Sequence, residues 1–230
     1  MDENESKSRF GAFLKNNFDG ISKLFIYHIA MCLFGLIVCL AIEMVATQID
    51  GGTHQCQNCD TFYEISEVDE DFSCKVCGEK TTTKMSIATY IAGGIGALIY
   101  FGLMYVCMWE KGASDKIKID GGRQKRNNFK GLLMWLVASA INIFLLVNIA
   151  ILSFIPQAEN THGILAIIGL YYNAMYYPFL WVFSKIEITS LYLVALIPGA
   201  IVATLSYLAG VSGKKCLFPE PKGERNRKVR

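Results

Sequence analysis

Long apolar runs alternate with charged connections along this chain. Four of the runs cover residues 24–46, 86–109, 131–155 and 188–209. A helix of about twenty apolar residues is long enough to cross a hydrocarbon core about 30 Å thick. The pattern therefore predicts four transmembrane helices in an all-α integral membrane helical bundle.

A fifth apolar stretch, residues 163–183, differs from the others in its aromatic content. It holds four Tyr and one Trp, and Pro178 interrupts it. Tyr and Trp concentrate at the headgroup level of a bilayer. This stretch is therefore predicted to be an interfacial or re-entrant segment rather than a full span.

The polar connections carry predictions of their own. Apolar residues recur at helical spacing in residues 1–23, which predicts a cytoplasmic amphipathic helix on the membrane face. The basic stretch 110–130, broken at Gly121 and Gly122, is predicted to be a cytoplasmic loop with short structured ends. The basic, Pro-interrupted tail 210–230 is predicted to be disordered.

Glu43, at the end of the first span, is expected to reach the membrane interface with its carboxylate.

Two spans carry small residues at four-residue spacing. Such stripes let two helices approach closely, so we expect both to be packing faces. The stripes are Ala88, Ala92 and Gly96 in the second span, and Ala195, Gly199 and Ala203 in the fourth.

Composition supports a membrane location. Hydrophobic residues make up 53% of the 230 residues and aromatic residues 12%, and the mean hydropathy is +0.34. These values exceed those of an ordinary soluble domain. Because the apolar excess is gathered in blocks, the chain is predicted to be a multipass membrane protein, and no nucleic acid is expected as a partner.

The distribution of basic residues predicts the topology. Of the 22 Lys and Arg residues, four lie in residues 1–23, seven in 110–130 and seven in the tail. Residues 47–85 have three basic residues against eight Asp and Glu. Since Lys and Arg are enriched in cytoplasmic loops, both termini are placed in the cytoplasm and residues 47–85 outside the plasma membrane.

The clearest chemical motif lies between the first two spans. Cys56 and Cys59 form one Cys-x-x-Cys turn, and Cys74 and Cys77 form a second one after fourteen residues. Two such turns that face each other supply the four thiolates of a tetrahedral Zn²⁺ site. Residues 47–85 are therefore predicted to be a small β zinc ribbon that holds one structural Zn²⁺, with Gly78 adopting a positive φ after the second turn.

Two alternatives to this zinc site remain open. The four cysteines could instead be oxidised to disulfides, because the predicted location is a potentially oxidising compartment. His54 could replace one cysteine as a ligand, although a solvated loop position suits it better. Catalytic zinc is disfavoured, since four sulfur ligands leave no open position for water.

Several short motifs between residues 109 and 210 carry a resemblance to known membrane proteins. The motifs are Trp109-Glu110-Lys111-Gly112-Ala113-Ser114-Asp115, Gly121-Gly122-Arg123, Lys130-Gly131-Leu132, Leu170-Tyr171-Tyr172-Asn173 with Tyr177-Pro178, and Ser206-Tyr207-Leu208-Ala209-Gly210. Across roughly residues 90 to 215, the chain resembles a set of small, uncharacterised multipass membrane proteins of Firmicutes bacteria. The resemblance implies a bacterial plasma membrane and four spans with a partly inserted aromatic segment. The ribbon lies outside it as an insertion, and no activity comes with it.

The residues leave more than one function open. The favoured prediction is a membrane protein without enzymatic activity, whose ribbon docks a protein partner or senses an envelope condition. The alternative is a small-molecule permease or transporter subunit, with Tyr100, Ser139 and Asn142 as its polar groups inside the membrane. An intramembrane enzyme is disfavoured, because the sequence has no H-E-x-x-H or G-x-S-x-G motif. A homo-oligomer is compatible with each of these functions.

Overall fold

The computed structural model describes residues 3–50, 54–56, 58–59, 61–63, 73–79, 81–83, 85–185 and 189–217. Of the residues that the structure describes, 79% are helical. Three 3-10 turns, Pro156–Ala158, Ala174–Tyr176 and Thr189–Ala195, join the later helices. The helices of the described residues are α1 (Glu3–Asp50), α2 (Ile87–Asp120), α3 (Lys130–Ala138), α4 (Ala140–Leu152), α5 (Glu159–Tyr172), α6 (Tyr177–Lys185) and α7 (Leu196–Val211).

The expectation of an all-α membrane bundle agrees with this architecture. Within the described residues, three helical stretches, Phe10–Val45, Ile87–Asp120 and Ser190–Val211, are long and apolar enough to cross a membrane. The number rises to five if each of two bent helix pairs counts as one span. Large apolar side chains such as Ile87 and Phe144, which are 78% and 71% exposed, cover the outside of these helices. Exposed apolar faces of this kind are typical of contact with lipid.

The first helix is longer than the sequence pattern predicts. A separate amphipathic helix was expected to end at residue 23, but α1 continues from Glu3 to Asp50. Asp19 and Lys23 form an i,i+4 ion pair of 3.0 Å across the expected boundary. Leu24 is buried one residue later, so the helix passes from polar to apolar sequence without a break.

The prediction that residues 110–130 form a loop is wrong for its first half. Helix α2 continues through the charged residues as far as Asp120. The Lys116 ammonium lies 2.7 Å from the Asp120 carboxylate one turn later, and such pairs support a helix. The helix ends where the sequence predicts a break, because Gly122 adopts a φ of +71°.

The span predicted over residues 131–155 is bent in the structure. Helices α3 and α4 meet at Ser139 with a bend of 69°. Neither Gly nor Pro stands at this position. The bend follows the packing instead, since α3 lies against α7 whereas α4 lies against α5 and the Thr189–Ala195 turn.

The aromatic stretch 163–183 is broken, as a re-entrant loop or an interrupted span would be. Its two arms meet at 85° around the Ala174–Tyr176 turn. This turn is buried and packs against α1 and α2. A Cβ atom at Gly35 of α1 would come within 2.8 Å of the Met175 backbone nitrogen, so only a glycine allows the turn to approach. The break therefore lies inside the bundle rather than along its surface.

The closest helix crossing joins α2 and α7. A Cβ atom on Gly112 would lie 3.1 Å from the Gly210 Cα, and one on Gly210 would lie 3.0 Å from the Gly112 Cα. The two backbones therefore touch at this pair. In the predicted stripes, Gly199 packs on the Trp135 ring, whereas Ala88 faces outward.

Candidate metal centre

The four cysteines are brought together by a three-stranded antiparallel sheet. Strand β1 (His54–Cys56) lies between β2 (Phe62–Tyr63) and β3 (Thr81–Thr83). Cys56 ends β1 opposite Thr81 of β3. These short strands fix Cys56, the chain that enters and leaves the first turn, and the chain that leaves the second. The sequence favours strands over residues 61–65 and 81–83, which agrees with β2 and β3; Glu64 and Ile65 lie outside the described residues, and β1 was not predicted.

The four sulfur atoms lie close enough together to hold one metal ion. All four Sγ atoms are within 4.8 Å of one another. Cys56 Sγ lies 3.3 Å from Cys77 Sγ, and Cys59 Sγ lies 3.5 Å from Cys74 Sγ and 3.9 Å from Cys77 Sγ. A tetrahedron with metal–sulfur bonds of about 2.3 Å has edges of about 3.8 Å. The sulfur spacing therefore fits a tetrahedral metal.

The cysteines are present as thiols rather than disulfides. All eight cysteines of the chain belong to the described residues, and all eight are free. The sulfur–sulfur distances of 3.3–3.9 Å also exceed the disulfide bond length of about 2.05 Å. The oxidised alternative is therefore not the state that the structure contains.

The backbone supports the second turn in the way that its sequence predicts. Gly78 has a φ of +75°, a conformation that glycine adopts without steric cost. Its N–H donates to the Cys74 carbonyl at 2.8 Å, and the Cys74 N–H donates to the Glu79 carbonyl at 2.7 Å. These bonds close the loop that carries Cys74 and Cys77.

Hydrogen bonds to sulfur prepare part of the cage for a cation. The Tyr63 hydroxyl lies 3.1 Å from Cys74 Sγ and is the largest influence that lowers the pKa of Cys74 to about 6. The backbone N–H groups of Cys59 and Asn58 lower the pKa of Cys56. The backbone at Glu79 lowers the pKa of Cys77, but the neighbouring thiols, led by Cys56, raise it to about 12. A bound dication would displace the remaining thiol protons.

The structure places His54 differently from the sequence prediction. A solvated loop position was expected, but His54 is only 6% exposed and pairs with Tyr63 and Thr83 in the sheet. His54 and Cys56 are the two buried residues of β1, as expected for alternate residues on one face of a strand. The group of potential ligands contains the four cysteines and not His54.

The carboxylate of Glu43 connects the cysteine module to the bundle. It was expected to reach toward the membrane interface, but it accepts hydrogen bonds from the Ser86 backbone N–H at 3.1 Å and the Ser86 hydroxyl at 3.3 Å. The Thr89 hydroxyl also donates to it. Unpaired N–H groups at a helix N-terminus attract an anion, and β3 ends only three residues before Ser86. Glu43 therefore fixes the exit of the module to α1.

The three polar residues considered for transport are arranged in the interior rather than around one opening. The Tyr100 hydroxyl lies 3.3 Å from His28 Nδ1. Asn142 and Asn173 donate to each other's side-chain oxygens, both at 2.9 Å. Ser139 stands at the bend between α3 and α4. Tyr100 and Asn142 thus have protein partners already.

The most deeply buried charges were not predicted from the sequence. Asp115 is fully buried, and its Oδ2 lies 2.6 Å from the Lys130 ammonium. The Tyr207 hydroxyl donates to the same oxygen at 2.9 Å. The sequence contained one indication that residues 115–118 are helical: Lys118 follows Asp115 by three residues, a spacing that brings opposite charges together on a helix.

No family model, no curated protein and no solved structure matches the chain.

Proposed function

We propose that the chain is a multipass membrane protein without enzymatic activity, in which a zinc-bound ribbon docks a protein partner or senses an envelope condition. The observation that carries the proposal is the cage of four thiols within 4.8 Å. Four soft, closely spaced sulfur ligands favour Zn²⁺ over hard cations such as Mg²⁺. A cage closed by four sulfurs has no ligand position for a reacting water, which supports a structural role.

The attachment of the ribbon supports a docking or sensing role. Only three residues separate α1 from β1, and three separate β3 from α2. The ribbon is therefore held at one end of the α1–α2 pair, where Glu43 also binds Ser86. Between the second pair of cysteines, Val76 is 72% exposed. An exposed apolar side chain on a metal-held turn is suited to contact a partner.

The proposed location follows from the charges of the connections. The three basic blocks, 1–23, 110–130 and 210–230, fit the cytoplasmic side of a bacterial plasma membrane, which supports a ribbon on the outer side. The alternative, a permease or transporter subunit, receives less support, because Tyr100 and Asn142 bond to other protein groups.

The proposal can be tested by photo-crosslinking in cells. A photoreactive amino acid at Val76 should give a discrete crosslinked protein, and the same position combined with Cys74→Ser should lose it, because the turn then lacks its metal. A photoreactive residue at Leu98, which is 71% exposed on α2, serves as the control and should crosslink to lipid. A Val76 crosslink that persists unchanged without zinc would contradict the docking role.

A further inference from the structure

The chain that follows α7 folds back onto α2. Gly213 adopts a φ of +71°, which reverses the chain direction after the helix. The Trp109 indole N–H then donates to the Lys214 carbonyl at 3.0 Å. The Leu217 backbone N–H donates to the Tyr105 hydroxyl at 3.2 Å. These two hydrogen bonds fix the 212–217 segment across the outer face of α2 and α7.

A groove of about 380 Å³ lies under this segment. That volume falls within the range of roughly 300–1,000 Å³ that is usual for small-molecule sites. Most of the wall is apolar, Ser206 adds one hydroxyl, and Lys214 and Lys215 form the polar end of the groove. The apolar wall comes from Tyr105 of α2, from Ile201, Val202, Leu205 and Ala209 of α7, and from Leu217.

The two lysines of the groove differ from the other lysines nearby. Lys116 and Lys130 are already paired with carboxylates, at 2.7 and 2.6 Å. In the described part of the chain, no carboxylate forms an ion pair with Lys214 or Lys215, and both are exposed. Their ammonium groups can therefore bind an anion at the polar end of the groove.

The dimensions of the groove match one leaflet of a bilayer. The wall from Ile201 to Ala209 extends about 12 Å along α7, at about 1.5 Å per residue. One leaflet contributes about 15 Å of a 30 Å hydrocarbon core. The lysines follow at the end of α7 where α2 also becomes charged, from Glu110 to Asp120. The apolar wall and the cationic end of the groove therefore follow each other in the same order as the acyl chain and the headgroup of a lipid.

We propose that this groove is a binding site for an anionic phospholipid. One acyl chain lies along Ile201 and Leu205, and the phosphate lies between the ammonium groups of Lys214 and Lys215. The site requires the membrane helices but not the metal centre. This proposal is therefore independent of the zinc ribbon. The charges of Lys214 and Lys215 favour an anionic headgroup. The apolar wall favours a lipid over free phosphate, because only a lipid has an acyl chain to contact it.

Lipid binding to the purified full-length chain in a nonionic detergent tests the proposal. Native mass spectrometry would follow titrations with dioleoyl phosphatidylglycerol, dioleoyl phosphatidylcholine and inorganic phosphate. Each lysine near an anionic lipid contributes roughly fivefold to binding, so K214Q/K215Q should weaken phosphatidylglycerol binding about 30-fold. The matched control K125Q removes an exposed lysine of the loop after α2 and should leave binding unchanged.

A second pair of variants tests the acyl-chain half of the groove. Leu205 is 60% exposed and Leu98 is 71% exposed, so a Trp at either position faces lipid without entering the core. L205W should abolish phosphatidylglycerol binding by filling the groove, and L98W should not. The proposal is overturned if K214Q/K215Q binds like K125Q, or if phosphatidylcholine binds equally well. It is also overturned if L205W keeps its binding while inorganic phosphate displaces the lipid, since the site would then recognise phosphate alone.

Discussion

The ammonium of Lys130 lies 2.6 Å from Oδ2 of Asp115, and this pair joins two helices inside the bundle. Asp115 belongs to α2 and Lys130 begins α3. The Tyr207 hydroxyl of α7 donates to the same carboxylate oxygen. A residue pair from an apparently polar connection is thus part of the core, where three helices meet.

Removing one member of this pair should strongly destabilise the bundle. In Asp115→Ala, the Lys130 ammonium stays buried, with 8% of its side chain exposed, but loses its partner. Breaking a buried ion pair in this way costs about 3–5 kcal/mol. We expect a clear fall in the thermal unfolding temperature of the purified protein in detergent.

Two further variants distinguish charge from packing. The double variant D115L/K130M leaves no buried charge and should recover part of the lost stability, but not all of it, because the buried Tyr207 hydroxyl loses its acceptor. Lys116→Ala removes a pair whose side chains are 39% and 62% exposed, and it should change the stability by less than about 1 kcal/mol. Equal losses in Asp115→Ala and Lys116→Ala would contradict the role of the buried pair.

Residues 110–130 show which features a sequence pattern can predict. Their seven basic residues favoured a loop, because charged side chains are usually exposed to solvent. Hydropathy cannot report that Asp115 is neutralised by Lys130, since the two lie fifteen residues apart in sequence and meet only after folding. The Gly121–Gly122 break was predictable, because it depends on local backbone preference alone.

The crossing of α2 and α7 predicts a sharp dependence on glycine. Gly112→Ala places a methyl group against the backbone of Val211, whose nitrogen would be 2.9 Å away. Forcing extra atoms into a packed contact costs typically about 1–3 kcal/mol, so the unfolding temperature in detergent should fall. Gly94→Ala is the control, because a Cβ there meets nothing within 4 Å. Similar unfolding temperatures for both variants would show that the helices separate easily.

Glu43 provides a local prediction at the junction of ribbon and bundle. Glu43→Ala removes the acceptor for the Ser86 N–H and the Thr89 hydroxyl. Losing a helix N-terminal cap costs about 0.5–2 kcal/mol, so amide hydrogen exchange at residues 86–89 should become several-fold faster. Glu110→Ala, an exposed change on the same helix, should leave that exchange unaltered. Unchanged exchange in Glu43→Ala would mean that Ser86 alone caps α2.

The candidate site was more predictable than the bundle around it. The four cysteines, the positive φ of Gly78 and the sulfur cage all follow from the spacing of two short motifs. The bonds that Tyr63 and Glu43 make were not predictable, because each depends on which strand or helix its residue faces after folding. The bend at Ser139 also depends on helix packing. It was not predictable, because no Gly or Pro stands at that position.

Tyr63 should control the pH at which the metal is released. Its hydroxyl stabilises the Cys74 thiolate and holds the pKa of that thiol at about 6. Tyr63→Phe removes this bond, so the thiol keeps its proton up to a higher pH. Metal affinity should fall about 10–100-fold at neutral pH, and acid release should begin at higher pH than in the wild type. Chelator competition between pH 5.5 and 8 measures both, with Tyr90→Phe on α2 as the control; superimposable curves would exclude this role.

The metal centre itself is tested by zinc content. Cys56, Cys59, Cys74 and Cys77 should bind one Zn²⁺ per chain in the purified protein, and Cys74→Ser should lose it, because three thiolates do not close the cage. Cys107→Ser, a change to a buried cysteine of α2, should keep its zinc.

The ribbon is too small to fold by core burial, so loss of metal should unfold it locally. Purified wild type that contains disulfides between the two Cys-x-x-Cys turns and no zinc would refute the metal site.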